Sequence, residues 1–402
     1  MSPRAPFALL GLAALAVLTG CQGAPAPTAS EPPAGSGDGH GAIAGAEELA
    51  EPALHLTSIA PDGGIHHLDL VDETSEVLGE VAPVDALETD GRFLYAARGG
   101  EVSIIDSGVW TWNHVDHFHY YEAPAALLGE VPGGGTPRTV ASDLGAGIFF
   151  DGGEAVLLDL DALKAGEIVE RFRLDVPAHE GLVVPLPAGA LVSDPAVGGL
   201  RHVDVDGDDL DTVACVDPAG SIATNVGVVV GCADGAVLAV TDAGGTTVER
   251  VPYPAEAGDR ALSFAAREGR PTVAGLSGDS AFWLLDTRER AWSHIDAGEP
   301  LVRVAAVDDA DRHVVALTAD GAVLVIDGAT GEHLARTEPL VAASLADADR
   351  AGGVTLTADQ NRTYLNGPAE GVLFEIDPAD GGRIARELTA DHVPAFVAET
   401  GR

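Results

Sequence analysis

Between Trp110 and Tyr121 the sequence reads WTWNHVDHFHYY, with three histidines, one aspartate, two tryptophans and two tyrosines in twelve positions. The whole chain holds only 13 His, 4 Trp and 5 Tyr, so its chemistry-bearing side chains are concentrated here. Read as a strand, this stretch places His117, His119 and Tyr121 on one face and Phe118 and Tyr120 on the other. Imidazoles at positions i and i+2 lie about 7 Å apart at Cα, close enough for their ring nitrogens to converge on one cation. Zinc accepts imidazole nitrogen and carboxylate oxygen at about 2.0–2.2 Å, most often from four ligands. Asp116 and His114 are near enough in sequence to supply a ligand or a hydrogen-bond acceptor that orients one. Two histidines on one strand cannot complete a tetrahedral site, so a further ligand must come from elsewhere. His179, in VPAHEGLVVPL just before an apolar strand, is the best candidate. The plain alternative for both places is a polar, hydrogen-bonded surface without metal.

The elements that would position these residues come from a repeat. A Gly-bearing turn followed by a short apolar strand ending in Asp or Thr recurs eight times. The copies are GGIHHLD (63–69), GGEVSIID (99–106), GGEAVLLD (152–159), GGLRHVD (198–204), DGAVLAVT (234–241), GDSAFWLLD (278–286), DGAVLVID (320–327) and EGVLFEID (370–377). Their turns are 36 to 53 residues apart, and most copies have another short strand on each side. Strand repeats of this length specify an all-β fold, a β-propeller. One four-stranded blade cannot bury both its faces, whereas a closed ring of blades buries each against the next. The alternation lacks the 3.6-residue period of a helical solenoid. Eight copies predict eight blades, with seven possible if the first and last segments complete one blade together. The propeller is expected over residues 54–398, and the strand-entry loop carrying His179 should open on an axial surface of the ring. Phe118 and Tyr120 are expected to pack between blades, and Trp110 and Trp112 to brace the approach.

Upstream of the propeller, MSPRAPFALLGLAALAVLTGCQG carries one arginine, an apolar run too short to span a membrane comfortably, and LTGC. That ending resembles a bacterial lipobox, which implies a signal peptide over 1–20 and lipidation of Cys21. Residues 21–53, rich in Pro, Ala, Gly and Ser at their start, read as a flexible tether. The mature chain would then be exported and held at the outer face of the cytoplasmic membrane by lipid alone. The remaining cysteines, Cys215 and Cys232, are expected to form a disulfide in such an oxidising compartment. As metal ligands they would lack the second C-x-x-C of a zinc ribbon.

The formal net charge is −41, from 22 basic and 63 acidic residues. Such a surface repels phosphate backbones and anionic headgroups, which excludes nucleic acid as a partner and favours cations. No G-x-S-x-G, H-E-x-x-H, P-loop or Rossmann glycine pattern occurs, and the single lysine, Lys164, offers little for Schiff-base chemistry. These absences argue against an enzyme. In DVDGDDLD, Asp204, Asp206 and Asp208 alternate, but Gly207 is misplaced for a calcium loop, and an acidic turn is the better reading. His66 and His67 are adjacent on a strand and point to opposite faces, which sets them against binding one metal. His202, His294, His313 and His333 stand singly in repeat strands or turns, and the sequon at Asn361 matters only in a glycosylating host.

The string DSGVWTWNHVDHFHYYEAP, then LLGEVP, AHEGLVVPL and the paired cysteines of ACV and VGCADGAV, resembles the AztD-type zinc metallochaperones. These are exported proteins associated with zinc ABC transporters. The resemblance covers roughly residues 54–398. It implies that His117, His119 and His179 ligate Zn2+, with Asp116 and His114 nearby, in a monomer that passes the ion to the transporter's solute-binding protein. The chain departs from the pattern at VDPAGSIATN after Cys215, where a histidine is expected, at Val115 in place of a glycine, and in a tether with His40 as its one histidine. Imidazole-rich sites also take Cu2+ and Ni2+. The alternatives to a metal carrier are a metal-independent interaction scaffold and a metal-dependent hydrolase or lyase.

Overall fold

Seven of the eight repeat copies become the third strand of a four-stranded antiparallel sheet and the copy at 278–286 lies in a three-stranded one, so that the described residues make eight blades. The computed structural model describes residues 43, 45–114, 117–254 and 258–402, and of His114 the backbone alone. The expected signal peptide, Cys21 and most of the tether lie outside the described residues, as does Asp116. No helix among the described residues is long and apolar enough to cross a membrane.

Blade 2 illustrates the plan, with strands Ala86–Thr89, Phe93–Arg98, Glu101–Asp106 and Ala126–Pro132 hydrogen-bonded in that order. First strands of neighbouring blades touch one another and so lie innermost. Second and third strands are buried almost throughout, and fourth strands alternate or face solvent. A strand buried on both faces needs apolar residues at successive positions, which is why the repeat reads as a short apolar run. Phe93, Tyr95 and Val102 face blade 3, where they meet Ile148 and Phe150, while Leu94, Ala96 and Ile105 face blade 1 and meet Ile59 and Ile65. The same division by alternate residues yields eight apolar clusters among the described residues, one at each blade-to-blade interface.

Blade 6 departs from the plan. It has three regular strands, Thr272–Ser277, Ala281–Asp286 and Ala291–Asp296, and an isolated bridge between Ala265 and Ala274 stands where the inner strand would be. Blade 1 is made from both ends of the propeller sequence: Phe396–Thr400 is its inner strand and pairs with His55–Ile59. The first and last segments do share one blade, and the count among the described residues is nevertheless eight, because the other seven blades are each drawn from one continuous stretch of chain.

Cys215 and Cys232 are joined in a disulfide that ties the connection from blade 4 onto the second strand of blade 5, Val228–Cys232. Glu47–Leu49, expected in the tether, is a strand outside the ring.

Strand direction fixes which connections share a face. Turns joining first to second and third to fourth strands open at one end of the ring, and the remaining connections open at the other. This alternation decides the position of every candidate ligand.

Glu399, on the closing strand, is 1% exposed, with Arg402 Nη2 at 2.7 Å from its carboxylate. Burial pushes its pKa up to about 7, the Arg402 charge opposing. An acid with a raised folded-state pKa takes up a proton more readily when folded, so its ionisation works against folding between about pH 4.5 and 7. The stability of the wild type relative to Glu399→Gln is therefore greatest below about pH 4.5 and falls by up to about 3 kcal/mol as pH rises through 7. Denaturant unfolding of both proteins at several pH values measures this, and a difference that stays constant with pH would refute it.

Candidate metal centre

The motif is not part of a blade. Val109–His114 and His117–Glu122 form a hairpin inserted between the third and fourth strands of blade 2. Glu47–Leu49 pairs with its second strand to make a separate three-stranded sheet. The hairpin therefore stands on the end of the ring where first-to-second turns open.

Its base is held by charge and geometry together. Arg92, in the first turn of blade 2, donates from Nε and Nη2 to Asp106 at 3.0 and 2.7 Å, and its guanidinium lies 3.8 Å from the centre of a Trp110 ring. Trp110 in turn stacks on Tyr121 at 5.2 Å. Burial, with the Glu48 charge adding to it, raises the pKa of the Tyr121 hydroxyl. Thr111 donates from its N–H and its hydroxyl to the carbonyls of Arg402 and Gly401 at 3.1 and 2.8 Å, which ties the hairpin to the closing strand of the ring. Gly108 starts the hairpin at φ +82°, and a Cβ there would lie 2.2 Å from the Ala123 carbonyl oxygen.

His117, His119 and Tyr121 share one face, as the alternation requires. The His117 and His119 ring centres are 4.6 Å apart, and those of His119 and Tyr121 are 6.1 Å apart. His119 is 7% exposed and stacks on Trp112 at 5.3 Å, its opposite residue in the hairpin. His117 is exposed near the hairpin end, and His114 occupies the register position opposite it. Glu48 Oε1 lies 2.6 Å from His119 Nδ1. A carboxylate only accepts, so Nδ1 carries the proton and Nε2 is the ring nitrogen with the lone pair. Glu48 is the residue that sequence reasoning missed, because it lies in the segment assigned to the tether and three residues of strand leave no periodic signal.

Other expectations are corrected. Phe118 does not pack between blades: it is 55% exposed, because the hairpin projects from the ring and its second face has no blade to meet. Of the two tryptophans, Trp110 is buried and braces the base, whereas Trp112 is 40% exposed and covers His119. His179 is not brought to the hairpin. It lies in the connection from Glu170–Asp175 of blade 3 to Val183–Leu186 of blade 4, a fourth-to-first connection at the opposite end of the ring. Both its ring nitrogens are engaged within its own blade region, Nδ1 with the Pro177 carbonyl at 2.7 Å and Nε2 with Ser193 Oγ at 2.9 Å.

The remaining candidates have local roles. Asp204 Oδ1 accepts the N–H groups of Asp206 and Asp208, each at 2.9 Å, as the cap of an acidic turn. His313 pairs with Asp309 at 2.6 Å. His66 and His67 point apart: His67 is buried against His55 and hydrogen-bonded to Thr57, and burial pushes its pKa down to about 3. His66 stacks on His392.

The fold and site define an eight-bladed β-propeller with a histidine-bearing hairpin on one face. No protein-family model and no curated protein matches the sequence. Among solved structures, two of AztD from Citrobacter koseri align with a TM-score of 0.73 at 21% identity; the apo form covers 87% of this chain and 98% of its own. The dihydro-heme d1 dehydrogenase NirN aligns with a TM-score of 0.55 at 18% identity, over 88% of this chain and 76% of its own. Sqt1 from Chaetomium thermophilum aligns at 0.52 and 15%, over 77% and 89%. At these identities the likeness is one of fold, and the resemblance drawn from the sequence holds at that level.

Gly108→Ala should loosen the hairpin without opening the ring, because a side chain there combines left-handed backbone strain with a clash, at a local cost of about 2 kcal/mol or more. The expected result is faster proteolysis within residues 109–122 and altered tryptophan emission, with the far-ultraviolet spectrum unchanged. Unchanged cleavage would show that the glycine is not what shapes the hairpin.

Proposed function

We propose that this chain is an extracytoplasmic zinc-binding metallochaperone of the AztD type, anchored by lipid at Cys21. It captures Zn2+ on the hairpin and passes it to the solute-binding protein of a zinc ABC transporter. The observation that carries this reading is the pair of histidines on one strand face, with one imidazole oriented by a carboxylate. Glu48 holds the proton on His119 Nδ1, which leaves Nε2 as the ligating nitrogen. His117 supplies the second nitrogen, and His114 and Asp116 in the adjoining segment are the further ligands, with water completing the shell. His179 takes no part in this ligand set, given its place at the other end of the ring.

The arrangement suits a carrier better than a catalyst. The site stands on a projecting hairpin, with His117 and Phe118 exposed, where an acceptor protein can approach and exchange ligands one at a time. A net charge of −41 favours the approach of a divalent cation from any direction. The fold likeness to AztD supports the same class.

Titrating the purified chain with Zn2+ against a competing chelator tests the site. The His117→Ala/His119→Ala variant should lose one equivalent, and Glu48→Gln should weaken that equivalent by about 10- to 100-fold. Mixing the loaded chain with a zinc transporter's solute-binding protein should move the ion faster than a chelator of equal affinity draws it off. Unchanged stoichiometry in the double variant would reject the hairpin site, and transfer no faster than to the chelator would reject delivery.

A further inference from the structure

A second cluster of metal-ligating side chains lies where the two ends of the propeller sequence meet. His66 is on the third strand of blade 1, Gly64–Asp69. Asp391 and His392 are in the connection from Arg383–Thr389 of blade 8 to the closing strand Phe396–Thr400. Both segments lie at the end of the ring opposite the hairpin: one begins a third strand and the other precedes a first strand. Ligand atoms of His66, Asp391 and His392 all lie within 4.8 Å of one another. Ligands about 2.1 Å from a tetrahedral metal are about 3.4 Å apart, so the three atoms must draw together by up to about 1.4 Å.

The cluster has oriented components. His392 Nδ1 lies 3.1 Å from Asp391 Oδ1, and His392 Nε2 lies 2.6 Å from Ser58 Oγ. The His66 ring lies parallel to that of His392, with centres 3.5 Å apart and 6° between planes. Parallel imidazole planes share no point, so a metal cannot lie in both. Binding therefore turns one ring about χ2, and His66 is the ring without the Ser58 contact that holds His392; the ion takes the place of the proton between His392 Nδ1 and Asp391, which is released to solvent, and Nε2 stays hydrogen-bonded to Ser58 Oγ.

We propose that His66, Asp391 and His392 form a second Zn2+ site, independent of the hairpin, with water as the fourth ligand. Its occupant joins a strand near the start of the propeller to the segment that closes it. Zinc bound here stabilises the closed ring by mass action, because the opened chain lacks the site. The two nitrogens and one carboxylate oxygen are a donor set suited to zinc, and the open fourth position permits exchange.

Zinc stoichiometry and thermal midpoint, measured on the purified chain with Zn2+ as sole ligand, test this. The His117→Ala/His119→Ala variant should retain one equivalent and a zinc-dependent rise in midpoint. Adding His66→Ala should remove both. Asp391→Asn, at a side chain 84% exposed and so harmless to the fold, should weaken the retained equivalent about tenfold or more. A hairpin variant that binds no zinc, or a retained equivalent indifferent to both His66→Ala and Asp391→Asn, would overturn the second site. If the chain binds one equivalent that ignores the hairpin variant and is lost with His66→Ala, the hairpin reading fails and this one stands.

Discussion

The pairing of Phe396–Thr400 with His55–Ile59 is the interaction on which the rest of the molecule depends. A propeller whose last blade stays open leaves two unpaired sheet edges and two apolar faces in water. Closure supplies the missing inner strand, and Thr57 and Thr400 add a hydroxyl contact at 3.0 Å in the buried layer. It also completes the two interfaces of blade 1, Val397 and Leu56 against Tyr364 and Leu373 on one side, and Ala398 and Ile59 against Leu94 and Ile105 on the other. Joining such distant segments is entropically tolerable, since the cost of loop closure rises only with the logarithm of length.

Both candidate metal centres are tied to that seam from opposite ends of the ring. On one end, the carbonyls of Gly401 and Arg402 hold Thr111 and with it the hairpin. On the other, Asp391 and His392 lead into the closing strand and reach His66 across it. The blades themselves contribute little chemistry. Most of their buried residues are apolar, and a hairpin and a connection project from them.

The hairpin site shows how a short strand at the edge changes a histidine. His119 alone could ligate through either nitrogen. Glu48, half-exposed and from a different segment, selects the tautomer, and Trp112 covers the ring. Orientation of this kind costs the protein one strand of three residues, Glu47–Leu49, added to an existing hairpin.

What could be read from the sequence followed from periodicity. Strand alternation is a local property, so the eight repeat copies and the shared face of His117, His119 and Tyr121 were legible from neighbouring residues. The opposed directions of His66 and His67 were legible for the same reason. The tertiary structure decided everything that required knowing which end of a strand faces which end of the ring. It separated His179 from the hairpin, brought Glu48 to His119, exposed Phe118, and set His392 against His66. No local pattern carries that information, because these meetings depend on the direction of each connection and on the closure of a ring whose ends are far apart in sequence.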